Sequence, residues 1–308
     1  MSVADENRAA IARRIRARGA TLDMPLAKAI YKPLLAEQRS DGVEVTRDLR
    51  YGDGARHLLD VYRPQNADPR RDALIFLHGG GFVRGDKCDR DNVGYYFARQ
   101  GLVVVVPNYR LAPDHRWPAG AEDAAAVCRW VLAGADDLGI DSEKIFLAGE
   151  SAGAAHVAAA SLVRRFHPPE GLRIRGAILI SGVYNANLER LARAQFAVAT
   201  PDPRNEPYFG RDFAAYRSMS TVELIDASPI PIMITYAELD LLQMQVQAGE
   251  LFARLVTQHG FAPELRVIAG HNHLTQTYAV NTGDEALTRP ILEFISNAAP
   301  RPRASAYE

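Results

Sequence analysis

Cysteine is scarce in this chain. Of 308 residues only Cys88 and Cys128 carry a thiol, too few for a disulfide framework and suited to a reducing compartment. No apolar run approaches the roughly eighteen residues that a membrane-spanning helix needs. The opening segment, MSVADENRAAIARRIRARG, lacks the continuous apolar core of a signal peptide, and Asp5 and Glu6 argue against a transit peptide. Charge of one sign is not in excess either. The formal net charge is −1, which gives no global attraction to nucleic acid or to an acidic membrane surface. Internal repeats and low-complexity linkers are absent as well. These absences lead to the expectation of a cytoplasmic protein with no nucleic-acid or membrane partner.

Present instead is enough apolar material for a sizeable core, with hydrophobic residues at 47%. After about residue 42, short β-rich runs alternate with longer helical ones. Strands are expected at 43–49, 57–62, 73–78, 102–109, 144–149, 176–181, 231–236 and 264–269, and several of these runs are almost wholly apolar. Strands of that kind are covered on both faces. Helices are expected at 91–100, 120–134, 152–166, 243–259 and 284–297. The alternation predicts an α/β fold with a mostly parallel eight-stranded sheet flanked by helices, antiparallel at its start. This domain spans 41–300. Residues 1–40 read as a helical segment in front of it, in which Ile11 and Ile15 share one face. Residues 185–228, with the run TPDPRNEPYFGRD, form a proline-rich, irregular insertion. Both regions are candidates for a cap over the C-terminal edge of the strands, where open α/β sheets place their sites.

Two short stretches carry the chemistry. In IFLAGESAGAAH, residues 145–156, a strand runs into Gly149-Glu150-Ser151-Ala152-Gly153 and an alanine-rich helix begins. This is a G-x-S-x-G turn in a strand–turn–helix setting, which lifts a serine hydroxyl to a helix N-terminus. A serine nucleophile needs a base, a carboxylate to orient the base, and donors for the oxyanion. Glu238 and Asp240 follow one later strand, and His271 and His273 follow the next, so three successive strand ends would deliver three reactive groups. Asp240 is favoured over Glu238 as the acid because it lies further beyond the strand. His273 is favoured over His271 as the base, because a residue further along the loop extends more easily across the strand ends. The second stretch, HGGGFVRG at 78–85, follows the strand ALIFLH. Glycines there let the backbone approach a ligand closely, so Gly80 and Gly81 can present bare N–H groups, with Ala152 adding a third.

Other polar residues have structural readings. Glu150 is expected to be buried and bonded to nearby loops, and His78 to shape the glycine loop. His156 is expected to be a packed helix residue. Arg110, Asp114 and His115 in NYRLAPDHRWP are expected to tie loop backbone together. His271 and His273 form a His-x-His pair, but no third ligand motif accompanies them, and no metal is expected.

The segments HGGGF (78–82), NYRLAPDHRWPAGAEDA (108–124), GESAG (149–153) and AELDLL (237–242) resemble the hormone-sensitive-lipase-like carboxylesterases of the α/β-hydrolase superfamily. The resemblance covers most of residues 43–298. It implies Ser151 as nucleophile, Asp240 as acid, and Gly80, Gly81 and Ala152 as oxyanion donors. It also implies an ester substrate, no cofactor, and a homodimer as a family-level expectation. Asn108 stands where the family usually has aspartate, and HNHL replaces its usual HGF. The segments YGDGARHLLDVYRP and FVRGDK resemble kynurenine-formamidase-like hydrolases, so an arylformamidase or amidase with the same triad is the alternative activity. A non-catalytic ligand-binding protein of this fold is the alternative from another class.

Overall fold

Alternation along single strands builds the two halves of the core. In β3 (Arg71–Leu77) Ile75 and Leu77 face one side of the sheet with Val127, Val131 and Val157, while Leu74 and Phe76 face the other with Val93, Phe97 and Ile291. The computed structural model describes residues 3–65, 70–195 and 204–298. The other strands are β1 (Val43–Arg50), β2 (Leu58–Pro64), β4 (Val103–Pro107), β5 (Ile140–Glu150), β6 (Gly176–Ile180), β7 (Ile232–Leu239) and β8 (Glu264–Asn272). They form one sheet in the order β1-β2-β4-β3-β5-β6-β7-β8. Strand β2 is antiparallel to both of its neighbours, and every pair from β4 to β8 is parallel. Every residue of β4 and of β6 is buried, as the apolar runs require of strands covered on both faces.

Helices Ala119–Ala133, Ala152–Leu162 and Leu242–His259 pack on one face, and Asp91–Arg99 and Thr288–Asn297 on the other. Several boundaries differ from the sequence expectation for local reasons. The helix expected over 152–166 stops at Leu162, because the Arg164 N–H is taken by the Asp226 carboxylate at 2.6 Å. The last helix begins at Thr288 and not at 284, where Asp284 accepts the Ala286 N–H at 2.9 Å and closes a turn. Strand β7 runs on to Leu239, which puts Glu238 within the strand.

Two helices, Val3–Arg18 and Met24–Ala36, precede the sheet, the second capped by the Asp23 side chain on the Leu26 N–H at 2.9 Å. Ile15, Ile30 and Tyr31 bury themselves against Ala279, with Ile11 alongside. Arg16 then grips Glu238 through two hydrogen bonds of 2.7 and 3.0 Å, fixing the first helix to the end of β7. Of the irregular insertion, residues 196–203 lie outside the described residues, as do 299 and 300 at the end of the expected domain. Among the described residues no helix is long and apolar enough to cross a membrane.

Candidate active site

Ser151 is the first residue after β5, and its backbone sits at φ 52°, ψ −117°. Positive φ costs a residue with a side chain roughly 1–3 kcal/mol, so the surroundings must enforce it. They do so by leaving no room on either side. A Cβ at Gly149 would lie 2.5 Å from the Gly153 carbonyl carbon, and one at Gly153 would lie 2.3 Å from the Leu77 oxygen. The Ser151 N–H is also anchored on the Ile180 oxygen at 2.7 Å. The serine hydroxyl is thereby held at the first turn of helix Ala152–Leu162, above the C-terminal edge of the sheet.

Asp240 and His273 are likewise the first residues after β7 and β8. Because β5, β7 and β8 are parallel, all three side chains reach the same edge. His273 Nδ1 meets Asp240 Oδ1 at 2.8 Å, and His273 Nε2 faces the Ser151 hydroxyl at 3.0 Å. The carboxylate fixes the proton on Nδ1 and leaves Nε2 as the acceptor. Burial alone would lower the His273 pKa. The adjoining Asp240 carboxylate outweighs that and holds it above the ordinary histidine value, although Arg204 pulls the other way.

Asp240 is fully buried and saturated with donors. It accepts the Leu241 N–H at 2.9 Å, the Ala237 N–H at 3.1 Å and the Ser181 hydroxyl at 2.5 Å. Ser181 in turn receives the Gln276 amide at 2.7 Å. Ser181 is the first residue after β6, so a fourth strand end takes part, and the strand ends bearing the serine and the acid are not successive. Sequence reasoning missed Ser181 and Gln276. The signal for Ser181 was available, since it ends the run GAILIS as Ser151 follows KIFLAGE.

The glycine loop lies opposite. Gly80 has φ 138° and Gly81 has φ 62°. A Cβ on Gly80 would come 1.9 Å from the Arg84 oxygen, so the tight loop itself demands glycine there. No backbone hydrogen bond of the fold occupies the N–H groups of Gly80, Gly81 or Ala152 among the described residues. The loop is braced from below. His78 Nδ1 donates to the Gly79 oxygen at 2.6 Å while its ring stacks on Tyr109. Burial holds the His78 imidazole down at about 4, so it stays neutral. Glu150 accepts the Gly79 N–H at 3.0 Å and pairs with the buried Arg90 guanidinium. Burial pushes the Glu150 carboxyl up, but Arg90 outweighs this and leaves it below its usual range. Arg90 was missed by the sequence reading.

The remaining candidates lie elsewhere. Glu238 is bound to Arg16 and to the Gly270 N–H at 2.7 Å, away from the histidine. His271 contacts the Thr275 hydroxyl at 3.2 Å and Asp284 at 3.3 Å. His156 packs in its helix beside Phe82 and Tyr208, and burial lowers it to about 3. Asn108 receives the Lys87 N–H at 2.7 Å and donates to Asp86 at 2.7 Å, tying down the turn after the glycines. Arg110 is a brace as expected, held by Asp123 and Glu122. Asp114 and His115 are not: both are exposed, and neither side chain makes a hydrogen bond among the described residues. Among the described residues no group of three or more His, Cys, Asp or Glu side chains could hold a metal ion.

Ser151, His273 and the glycine loop line a cavity of about 230 Å³, which Leu22 and Met24 of the N-terminal segment also line. A wider hollow of about 720 Å³ beside Trp117 and Phe166 contains none of these groups.

Known proteins agree with this architecture. A family described as alpha/beta hydrolase fold matches residues 74–277. The ethyl acetate hydrolase of Pseudomonas putida is 28% identical over 265 residues, covering 81% of this chain and 82% of that protein. Esterase LipC of Mycobacterium tuberculosis is 29% identical over 224 residues, 68% of this chain and 54% of its own length. Among solved structures, an esterase B from Lactobacillus rhamnosis superposes with a TM-score of 0.73 at 19% identity, covering 93% of this chain and 96% of that one. The chain belongs to the α/β-hydrolase fold family, in the hormone-sensitive-lipase-like carboxylesterase branch that its HGGGF and GESAG motifs resemble.

Replacing Glu150 by Gln removes the charge opposite a buried guanidinium. The Glu150→Gln variant is expected to lose about 3–5 kcal/mol of stability in urea unfolding. An unchanged unfolding midpoint would contradict the bracing role.

Proposed function

We propose that the protein is a carboxylesterase-type serine hydrolase that cleaves short acyl or aryl esters through a covalent acyl-enzyme. Ser151 is the nucleophile, His273 the general base, Asp240 the acid that orients it, and Gly80, Gly81 and Ala152 the oxyanion donors. The observation that carries this reading is the unbroken line from the Ser151 hydroxyl through His273 to a fully buried Asp240, at 3.0 and 2.8 Å. The names of the relatives, an ethyl acetate hydrolase and an acetyl esterase among them, agree with a small ester as substrate. The modest cavity agrees too.

The chemistry follows from the placement. His273 Nε2 takes the hydroxyl proton as Ser151 Oγ attacks the ester carbonyl. Charge moves to the carbonyl oxygen, which the three backbone N–H groups stabilise more strongly than the ground-state carbonyl. The imidazolium gives its proton to the departing alkoxide, which leaves as the alcohol. Water then attacks the acyl-enzyme, again giving its proton to His273, and releases the acid with Ser151 restored. Ester and water become acid and alcohol, so the cycle balances with no cofactor. Asp240 stabilises the imidazolium in both halves. Residues 1–40 act as a cap, a reading supported by Leu22, Met24 and Lys28 lining the cavity.

A chain-length panel of p-nitrophenyl esters, run beside formanilide, tests the assignment. Ester hydrolysis is expected to exceed formanilide hydrolysis and to fall at least about a thousandfold in Ser151→Ala. Wild-type turnover in that variant would remove the reading, and faster formanilide cleavage would replace the esterase with an arylformamidase. The pH profile has a fixed sign. His273 works only when neutral, and its pKa is raised, so kcat/KM should fall as the pH drops through a value above about 6.5. A profile that stays flat from pH 8 down to pH 5.5 would contradict His273 as the base.

A further inference from the structure

The cavity in front of Ser151 is richer in positive charge than the chain as a whole. The net charge of the sequence is −1, yet Lys28, Arg84, Arg90 and Arg204 line this cavity against only Asp89 and Glu150. Arg90 and Glu150 neutralise each other. Asp89 is spent locally, accepting the Asp86 N–H at 3.0 Å in a capping box. Lys28 and Arg84 are exposed at the cavity, and neither forms an ion pair or a side-chain hydrogen bond among the described residues. Arg204 lies directly over the glycine loop, its Cδ 2.6 Å from where a Cβ on Gly81 would stand. A lone unpaired lysine or arginine on a surface is ordinary. Two such cations, Lys28 and Arg84, lining one small cavity beside the reacting serine match a substrate that brings negative charge.

We propose that the preferred substrate is an ester that carries a carboxylate in addition to the scissile bond, held by Arg84 and Lys28 while the carbonyl lies against Ser151. This specifies the substrate class of the esterase reading and rests on it. Arg84 supplies planar paired N–H donors that fit a carboxylate, and Lys28 adds a point charge from the cap side. Leu22, Met24 and Tyr278 cover the apolar part of the molecule.

Two matched pairs of substrates test it. The p-nitrophenyl monoester of adipic acid is compared with its remote carboxamide, which places the charge on the acyl side. The acetate of 4-hydroxybenzoate is compared with the acetate of 4-hydroxybenzamide, which places it on the alcohol side. At low salt the charged member of at least one pair should have about tenfold higher kcat/KM, the difference expected between charge-assisted and neutral hydrogen bonding. The preferred pair identifies the side that the cations grip. The preference should shrink in 0.5 M NaCl and in Arg84→Gln and Lys28→Gln, chiefly through KM of the charged member, and Arg84→Lys should restore part of it. Equal kcat/KM within both pairs, or a preference that survives both substitutions, would overturn the proposal. Neutral ester hydrolysis that persists in wild type and disappears in Ser151→Ala would then leave the esterase reading standing alone. A wild-type enzyme inactive on all four esters would overturn both.

Discussion

The strained turn at Ser151 is the constraint on which the rest of the site depends. At φ 52° and ψ −117° the chain leaves β5 and enters a helix within a single residue. That is possible only because Gly149 and Gly153 approach each other, and Gly153 the Leu77 carbonyl, more closely than any side chain allows. The same compression brings the end of β3 against the start of the helix. The glycine loop that follows β3 is thus held beside the serine by backbone contact, not by long side chains. A small strain at one residue fixes the relation between the serine and the glycine loop beside it.

The second organising fact is where the strands stop. Ser151, Ser181, Asp240 and His273 each stand immediately after a strand, and those four strands are parallel neighbours. A rigid sheet therefore sets the spacing of the polar line, while short loops contribute little freedom. Polar groups buried at that edge stay satisfied by one another: Asp240 by three donors besides His273, and Glu150 by Arg90 and Gly79. Histidines outside the line, His78 and His156, are buried and pushed low enough to stay neutral, so they add shape without adding charge.

Much of this was legible in the sequence. Strands β3, β4 and β6 were legible as apolar runs because a strand covered on both faces leaves no polar alternation, while the edge strands β1 and β8, exposed along much of their length, were read from mixed β-rich runs. The G-x-S-x-G and HGGG stretches marked their turns because glycine at Gly149, Gly153 and Gly80 is required by backbone contact. Choosing between Glu238 and Asp240 was harder, since both lie near the end of one strand. The extension of β7 to Leu239 decides their geometry, turning Glu238 toward Arg16 and Gly270. Ser181 was visible only as a strand-end serine, and neither its pairing nor those of Arg90 and Gln276 were legible. Each acts through a partner at least 59 residues away in sequence, and no short motif encodes such a pairing. The bracing expected of Asp114 and His115 failed because a proline-rich loop can be held by one arginine, leaving its other polar groups in water.

The central claim is that Ser151 becomes covalently acylated during turnover. Rapid acid quenching of the enzyme mixed with excess p-nitrophenyl acetate, followed by peptide mass mapping, reads that directly. The account predicts a gain of one acetyl group on the peptide that carries Ser151, at the hydroxyl of that residue. Turnover with the acetyl group on another residue, such as Ser181, or with no covalent adduct under conditions where deacylation is slow, would contradict it.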